Sequence, residues 1–268
     1  MFGRRERRRK RLRERPVPDA WRELLDRGVP IVRNLLPADR AELEGGIQVF
    51  LAEKRFEGAG GFAIDDEVRV VVAAHASLLL LHRPDAEYSK LLSVIVYPGE
   101  FLAHIEEQDE AGLIWEDEET RAGESWSLGS LVLSWSDVLE DREDPNGELN
   151  VILHEFAHQL DAENGEMDGL PPLADGELRE AWPVVMHKAF EDLRRRAGAG
   201  RATALDPYAA EHPSEFFAVA TEVFFQQPRR LLAAYPEVYR LLTRYYLQDP
   251  VAWRTGGLVE RKRRSHDP

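Results

Sequence analysis

The chain has 268 residues, 43% hydrophobic and 31% charged, enough to bury a sizeable core and typical of an ordinary globular protein. It contains no cysteine, which excludes disulfides, iron–sulfur clusters and thiol catalysis, leaves only nitrogen and oxygen ligands for a metal, and suits a reducing, cytoplasmic compartment. The net charge of −14 is divided unevenly: residues 1–15 hold nine basic and two acidic residues, net +7, so residues 16–268 carry −21.

In chain order, residues 1–18 read as a basic, disordered amino-terminal tail, because blocks of like charge repel and stay solvated. The tail has no apolar stretch of the kind a secretory signal needs. It is the one segment suited to nucleic acid or anionic lipid, since the acidic body would repel a polyanion. Residues 19–55 read as helical, with Trp21, Leu24, Leu25, Leu35, Leu36, Leu43, Ile47, Phe50 and Leu51 near helical spacing and Pro37 at a helix start. Glycines between Gly58 and Gly61 break the chain, and the apolar run Val68–Leu81, ended by Pro84, predicts a buried helix. No apolar run approaches the roughly 20 residues that span a bilayer.

Composition changes in the middle of the chain. Ser93–Tyr97, Gly112–Trp115 and Gly129–Trp135 read as short strands, followed by helices over 149–161, 177–196, 213–226 and 229–247. Strands between two helical blocks predict an α+β fold. The expected organisation is one mostly helical domain over 19–255 with a small mixed β-sheet, then a basic carboxy-terminal tail over 256–268.

The segment that carries chemistry is Leu149–Asp161, which contains His154-Glu155-Phe156-Ala157-His158. On a helix, histidines four apart share a face and can reach one zinc ion, while the intervening glutamate can act as general base. Leu149, Ile152, Leu153, Phe156 and Leu160 form an apolar stripe that leaves the histidines on another edge. Polar groups on so apolar a helix need a partner. Asp161 is too short and too close on the same rod to complete a tetrahedron, so it is read as orienting a histidine or capping a turn. His187 and His212 are lone histidines, read as exposed or core residues. For a third ligand the candidates are Glu215 and Glu222, which interrupt the apolar helix opened by Pro213. Seven apart, they lie on one face, and spacing does not separate them.

At these residues the sequence resembles the Mlc titration factor A family of bacterial zinc peptidases. The resemblance runs from about Trp21 to Trp253 and includes Leu92–Pro98, Gly123–Trp126, Leu131–Trp135, His154–Asp161 with Asn164-Gly165, and Tyr208-Ala-Ala followed by Pro213–Val219. It implies a zincin-like fold with a catalytic core similar to that of the anthrax lethal factor peptidase domain. It further implies Glu215 rather than Glu222 as the third zinc ligand and Tyr208 facing the metal. The implied activity is peptide hydrolysis, aminopeptidase-like on small substrates, with one Zn²⁺ held by His154, His158 and Glu215, Glu155 as base and Tyr208 as oxyanion donor. The implied partner, beside a peptide or protein substrate, is a repressor of the Mlc type. An extended substrate is expected to pair with the strand Gly129–Trp135.

Overall fold

Proline opens helices at Pro37, Pro213, Pro228, Pro236 and Pro250, where its missing N–H leaves no bond unmade and its fixed φ already suits the helix. In the computed structural model, which describes residues 2–253 apart from 84–85, 100, 109–113, 122, 127–128, 145–146 and 148, the chain begins with α1 (Phe2–Arg13), α2 (Asp19–Gly28) and α3 (Pro37–Glu53). Strand β1 (Arg55–Gly58), α4 (Asp66–Leu79) and β2 (Ser93–Tyr97) follow, then β3 (Phe101–Gln108), β4 (Ile114–Arg121), β5 (Gly123–Trp126) and β6 (Ser130–Ser134). The remainder is helical: α5 (Trp135–Glu143), α6 (Val151–Asp161), α7 (Gly176–Gly198), α8 (Pro213–Gln226), α9 (Pro228–Ala234), α10 (Pro236–Tyr246) and α11 (Pro250–Trp253).

The core is built around α4. The Asp65 carboxylate caps it by accepting a hydrogen bond from the Val68 N–H at 2.9 Å. Val70, Val71, Val72, Ala73, Ala74, Ala76, Leu78 and Leu79 are all buried, and a helix apolar on every face must be enclosed by other elements. Helices α2, α3 and α6 enclose it. It also serves as the crossover between β1 and β2, which are parallel and therefore need such a connection. The sheet runs β1-β2-β6-β5, with β5 antiparallel to β6, so it is small and mixed as expected. Val94, Val96, Leu131 and Leu133 are buried in the same core as α4 and α6.

Four expectations need correction. The basic tail is not a disordered arm up to residue 18: its residues 2–13 form α1, which packs on α3. Arg9 donates to both carboxylate oxygens of Glu53, at 2.8 and 2.6 Å, and to Glu87 at 2.7 Å, and Arg5 reaches the same two glutamates. The hydrogen bonds from Arg9 hold the Glu53 carboxyl down at about 2. Repulsion among the arginines is offset by the acidic body beneath them, which a count along the tail alone does not include. Second, Gly129–Trp135 offers no edge to a substrate, because β6 lies between β2 and β5; the terminal strand there is β5. Third, 229–247 is two helices, since Pro236 starts α10 and holds Tyr235 outside the helical region, at φ −130° and ψ 68°. Fourth, Leu149 precedes α6 and is exposed instead of joining its apolar stripe. Of the strand expected over Gly112–Trp115, residues 112–113 lie outside the described residues and the rest begins β4. The expected tail over 256–268 also lies outside them.

Candidate metal centre

Helix α6 is held at both ends and along its inner face. Asn150 caps it, its Oδ1 accepting from the Leu153 N–H at 2.9 Å. Phe156 packs edge-on against Phe50, with ring centroids 5.6 Å apart, and tilts against Tyr88 at 4.9 Å. At the far end, Asp161 accepts from the Gly169 N–H at 2.7 Å, and Trp182 of α7 donates to the Gly169 carbonyl at 2.8 Å. Gly169 has φ +81°, and a Cβ there would stand 2.5 Å from the carbonyl oxygen of Pro213, the first residue of α8. One backbone crossing thus ties the end of α6 to the start of α8. Only glycine combines that φ with so close an approach.

This joint sets the histidines of α6 against the glutamates of α8. The Nε2 atoms of His154 and His158 are 3.1 Å apart, and Glu215 Oε2 lies 3.1 Å from the first and 3.4 Å from the second. One ligand atom from each of the three residues falls within 4.8 Å of the others, a set able to hold a metal ion. Glu222 lies on the opposite side of the first imidazole, its Oε1 2.8 Å from His154 Nδ1. The two glutamates that spacing leaves equivalent are therefore separated by which nitrogen of His154 each meets.

Electrostatics favour positive charge at this point. Burial acts to raise the Glu215 pKa, but hydrogen bonds from His154 and His158 outweigh it and hold the carboxylate well below its usual range. Burial also opposes charge on His154, and its bonds to Glu215 and Glu222 outweigh that, raising the imidazole's pKa. A proton or a metal cation satisfies the same carboxylates.

The other expected residues sort as follows. Glu155 is 4% exposed on the same helix. Tyr208 lies in a 3₁₀ turn, Pro207–Ala210, capped by Asp206, whose carboxylate accepts from the Tyr208 N–H at 2.8 Å. Ala209 beside it is buried, while Tyr208 is 43% exposed with its ring 6.3 Å from that of His154. Asp161 takes the turn-capping role, and burial raises its pKa to about 6. His187 and His212 are exposed, the latter capping α8 by accepting from the Ser214 N–H. Sequence reasoning missed Asn150 and His75, which stand behind Glu222. The available signal was Asn150 immediately before an apolar helix, the position of a cap.

A helix-borne pair of histidines converging with a distal glutamate is the arrangement of a metallopeptidase, and the sequence relationships agree. Residues 4–247 match the family described as glucose-regulated metallo-peptidase M90, and the chain belongs to that family. It is 37% identical to an uncharacterized protein of Synechocystis sp. (strain ATCC 27184 / PCC 6803 / Kazusa), over 91% of this chain and 89% of that protein. It is 33% identical to Mlc titration factor A of Pectobacterium atrosepticum, over 84% of both chains. With Mlc titration factor A of Yersinia enterocolitica it shares 31% identity, over 87% of this chain and 86% of the relative. The resemblance noted in the sequence is thus borne out. Among the described residues, no helix is long and apolar enough to cross a membrane.

Proposed function

We propose that the protein is a zinc-dependent peptidase whose metal is held by His154, His158 and Glu215, with Glu155 as general base and Tyr208 as oxyanion donor. The observation that carries this reading is the convergence of two Nε2 atoms and one carboxylate oxygen at the meeting of α6 and α8. Two imidazoles with one glutamate match a catalytic zinc donor set that keeps a further position open. Zinc bound there supplies Lewis acidity to the attacking water and to the scissile carbonyl. Glu155, next to His154 on α6, takes the proton of that water and returns it to the leaving amine. Tyr208, on a turn pinned by its buried neighbours, donates a hydrogen bond to the developing oxyanion. The terminal strand β5, which packs against α6, suits an extended peptide added to the sheet edge.

Aminopeptidase-like cleavage of small substrates in the cytoplasm is the narrower form of this reading. The names of the two Mlc titration factor A relatives support a second role, binding of a repressor of the Mlc type, with or without catalysis. The deciding experiment compares wild type with Glu155→Gln for zinc content and peptide hydrolysis. Zinc content stays, and hydrolysis falls roughly 10²–10⁴-fold, the range for a lost general base. A zinc-loaded Glu155→Gln protein that cleaves peptides at the wild-type rate overturns the assignment.

A further inference from the structure

Behind the first histidine lies a row of polar groups in which the donor and the acceptor of each hydrogen bond are settled. His75, on α4, sets its Nδ1 2.8 Å from the Val71 carbonyl oxygen. A carbonyl only accepts, so Nδ1 carries the proton and Nε2 of the neutral ring is an acceptor. The Asn150 amide then has one consistent orientation. Its Oδ1 accepts from the Leu153 N–H at 2.9 Å, and its Nδ2 donates to His75 Nε2 at 3.2 Å. The backbone N–H of Asn150 donates to Glu222 Oε2 at 2.5 Å, and Glu222 Oε1 accepts from His154 Nδ1 at 2.8 Å. His75, Asn150 and Glu222 are all buried, Glu222 to 3% exposure, where each unmade bond would cost the full desolvation of its group. Burial lowers the His75 pKa to about 4, which keeps the ring neutral near pH 7.

We propose that His75, acting through Asn150 and Glu222, is a positioning residue that fixes the tautomer and orientation of His154 for metal binding. The inference rests on the metal reading above and extends it to a residue on a third helix. Neutral His75 orients the Asn150 side chain, and that side chain holds the residue whose backbone N–H anchors Glu222. Glu222 in turn keeps the His154 proton on Nδ1, leaving the Nε2 lone pair directed toward Glu215 and His158. Carboxylate partners of this kind orient metal-binding imidazoles and raise their basicity. His158 has no such support: its Nδ1 is buried with no hydrogen-bond partner among the described residues. The orienting work therefore falls on His154. A cavity of about 110 Å³ lies against His75 and Asn150, so the row can be broken at residue 75 without crowding the core.

The test measures zinc affinity by equilibrium competition with a chromogenic chelator, together with the melting temperature of each metal-stripped protein. Glu222→Gln, which sets an amide donor against one of two N–H groups, is expected to weaken zinc binding about 10–100-fold. His75→Leu removes the acceptor and is expected to weaken it about tenfold, whereas His75→Gln offers an amide oxygen to Asn150 and returns to within about threefold of wild type. Should Glu222→Gln not fold, the His75 pair decides the matter. Unchanged affinity in His75→Leu with a lowered melting temperature overturns the proposal, since the role is then only structural. Equal loss in His75→Gln and His75→Leu overturns it too, because the acceptor would not be what counts. A wild-type protein that takes up no zinc defeats the metal reading and this inference together; tight binding indifferent to the substitutions defeats this inference alone.

Discussion

Replacing Tyr208 by phenylalanine separates packing from catalysis at the candidate site. The residue is 43% exposed, and its ring lies 6.3 Å from the His154 ring at an interplanar angle of 36°. Its backbone is held by Asp206 and by the buried neighbours Leu205 and Ala209, none of which the substitution touches. Phenylalanine keeps the ring, so folding stability should change by no more than about 0.5 kcal/mol, the usual range for a surface substitution. A transition-state donor, by contrast, is worth about 2.7–4 kcal/mol, which corresponds to roughly a hundred- to thousandfold in turnover. Zinc content and KM should stay near wild type, because the bond forms mainly in the transition state. The assay is steady-state hydrolysis of a peptide substrate on protein of measured zinc content, with urea unfolding run in parallel. Turnover within about threefold of wild type, far short of the expected loss, would show that the hydroxyl takes no part.

Three further outcomes follow from the geometry. His154→Ala, His158→Ala and Glu215→Ala should each abolish binding of the single zinc expected per chain, whereas Glu222→Ala should keep that stoichiometry at saturating zinc with weaker affinity; metal analysis that reverses Glu215 and Glu222 refutes the ligand assignment. Gly169→Ala meets both a φ of +81° and a contact of 2.5 Å with the Pro213 carbonyl. It should lower stability by about 1–3 kcal/mol and weaken zinc binding by displacing Glu215, and a normal melting curve with normal affinity would count against the joint. Arg9→Ala should cost about 1–2 kcal/mol at neutral pH in urea unfolding, a half-buried charged pair being worth more than an exposed one. The pH dependence follows from Glu53, whose pKa falls from 4.5 to about 2 beside Arg9. That stabilisation is complete above about 4.5 and is lost as pH falls toward 2, so the gap between Arg9→Ala and wild type should close over that range. No gap at neutral pH would mean that α1 does not depend on this pair.

Features that depend on near neighbours in the chain were legible beforehand. The spacing of His154 and His158 within an apolar run defined a helix with two imidazoles on one edge, because 3.6 residues per turn settles that locally. The buried helix expected over Val68–Leu81, the strands expected over Ser93–Tyr97 and Gly129–Trp135, and the helix opened by Pro213 were read from composition and breakers in the same way; they correspond to α4, β2, β6 and α8, with Trp135 already in α5. What the sequence by itself could not determine was anything set by the angle between elements. Glu215 and Glu222 share a face of α8, and only its crossing with α6 brings one to Nε2 of His154 and the other to Nδ1. The row from His75 joins three helices through links that span 75, 72 and 68 positions of the chain, and no local pattern signals such contacts. The arginines of α1 read as mutually repulsive until Glu53 and Glu87 stand beneath them. Gly129–Trp135 looked free to pair with substrate until β2 and β5 occupied both edges of β6. In each case periodicity reports which side of an element is apolar, while the identity of the group facing a polar atom depends on how the elements pack.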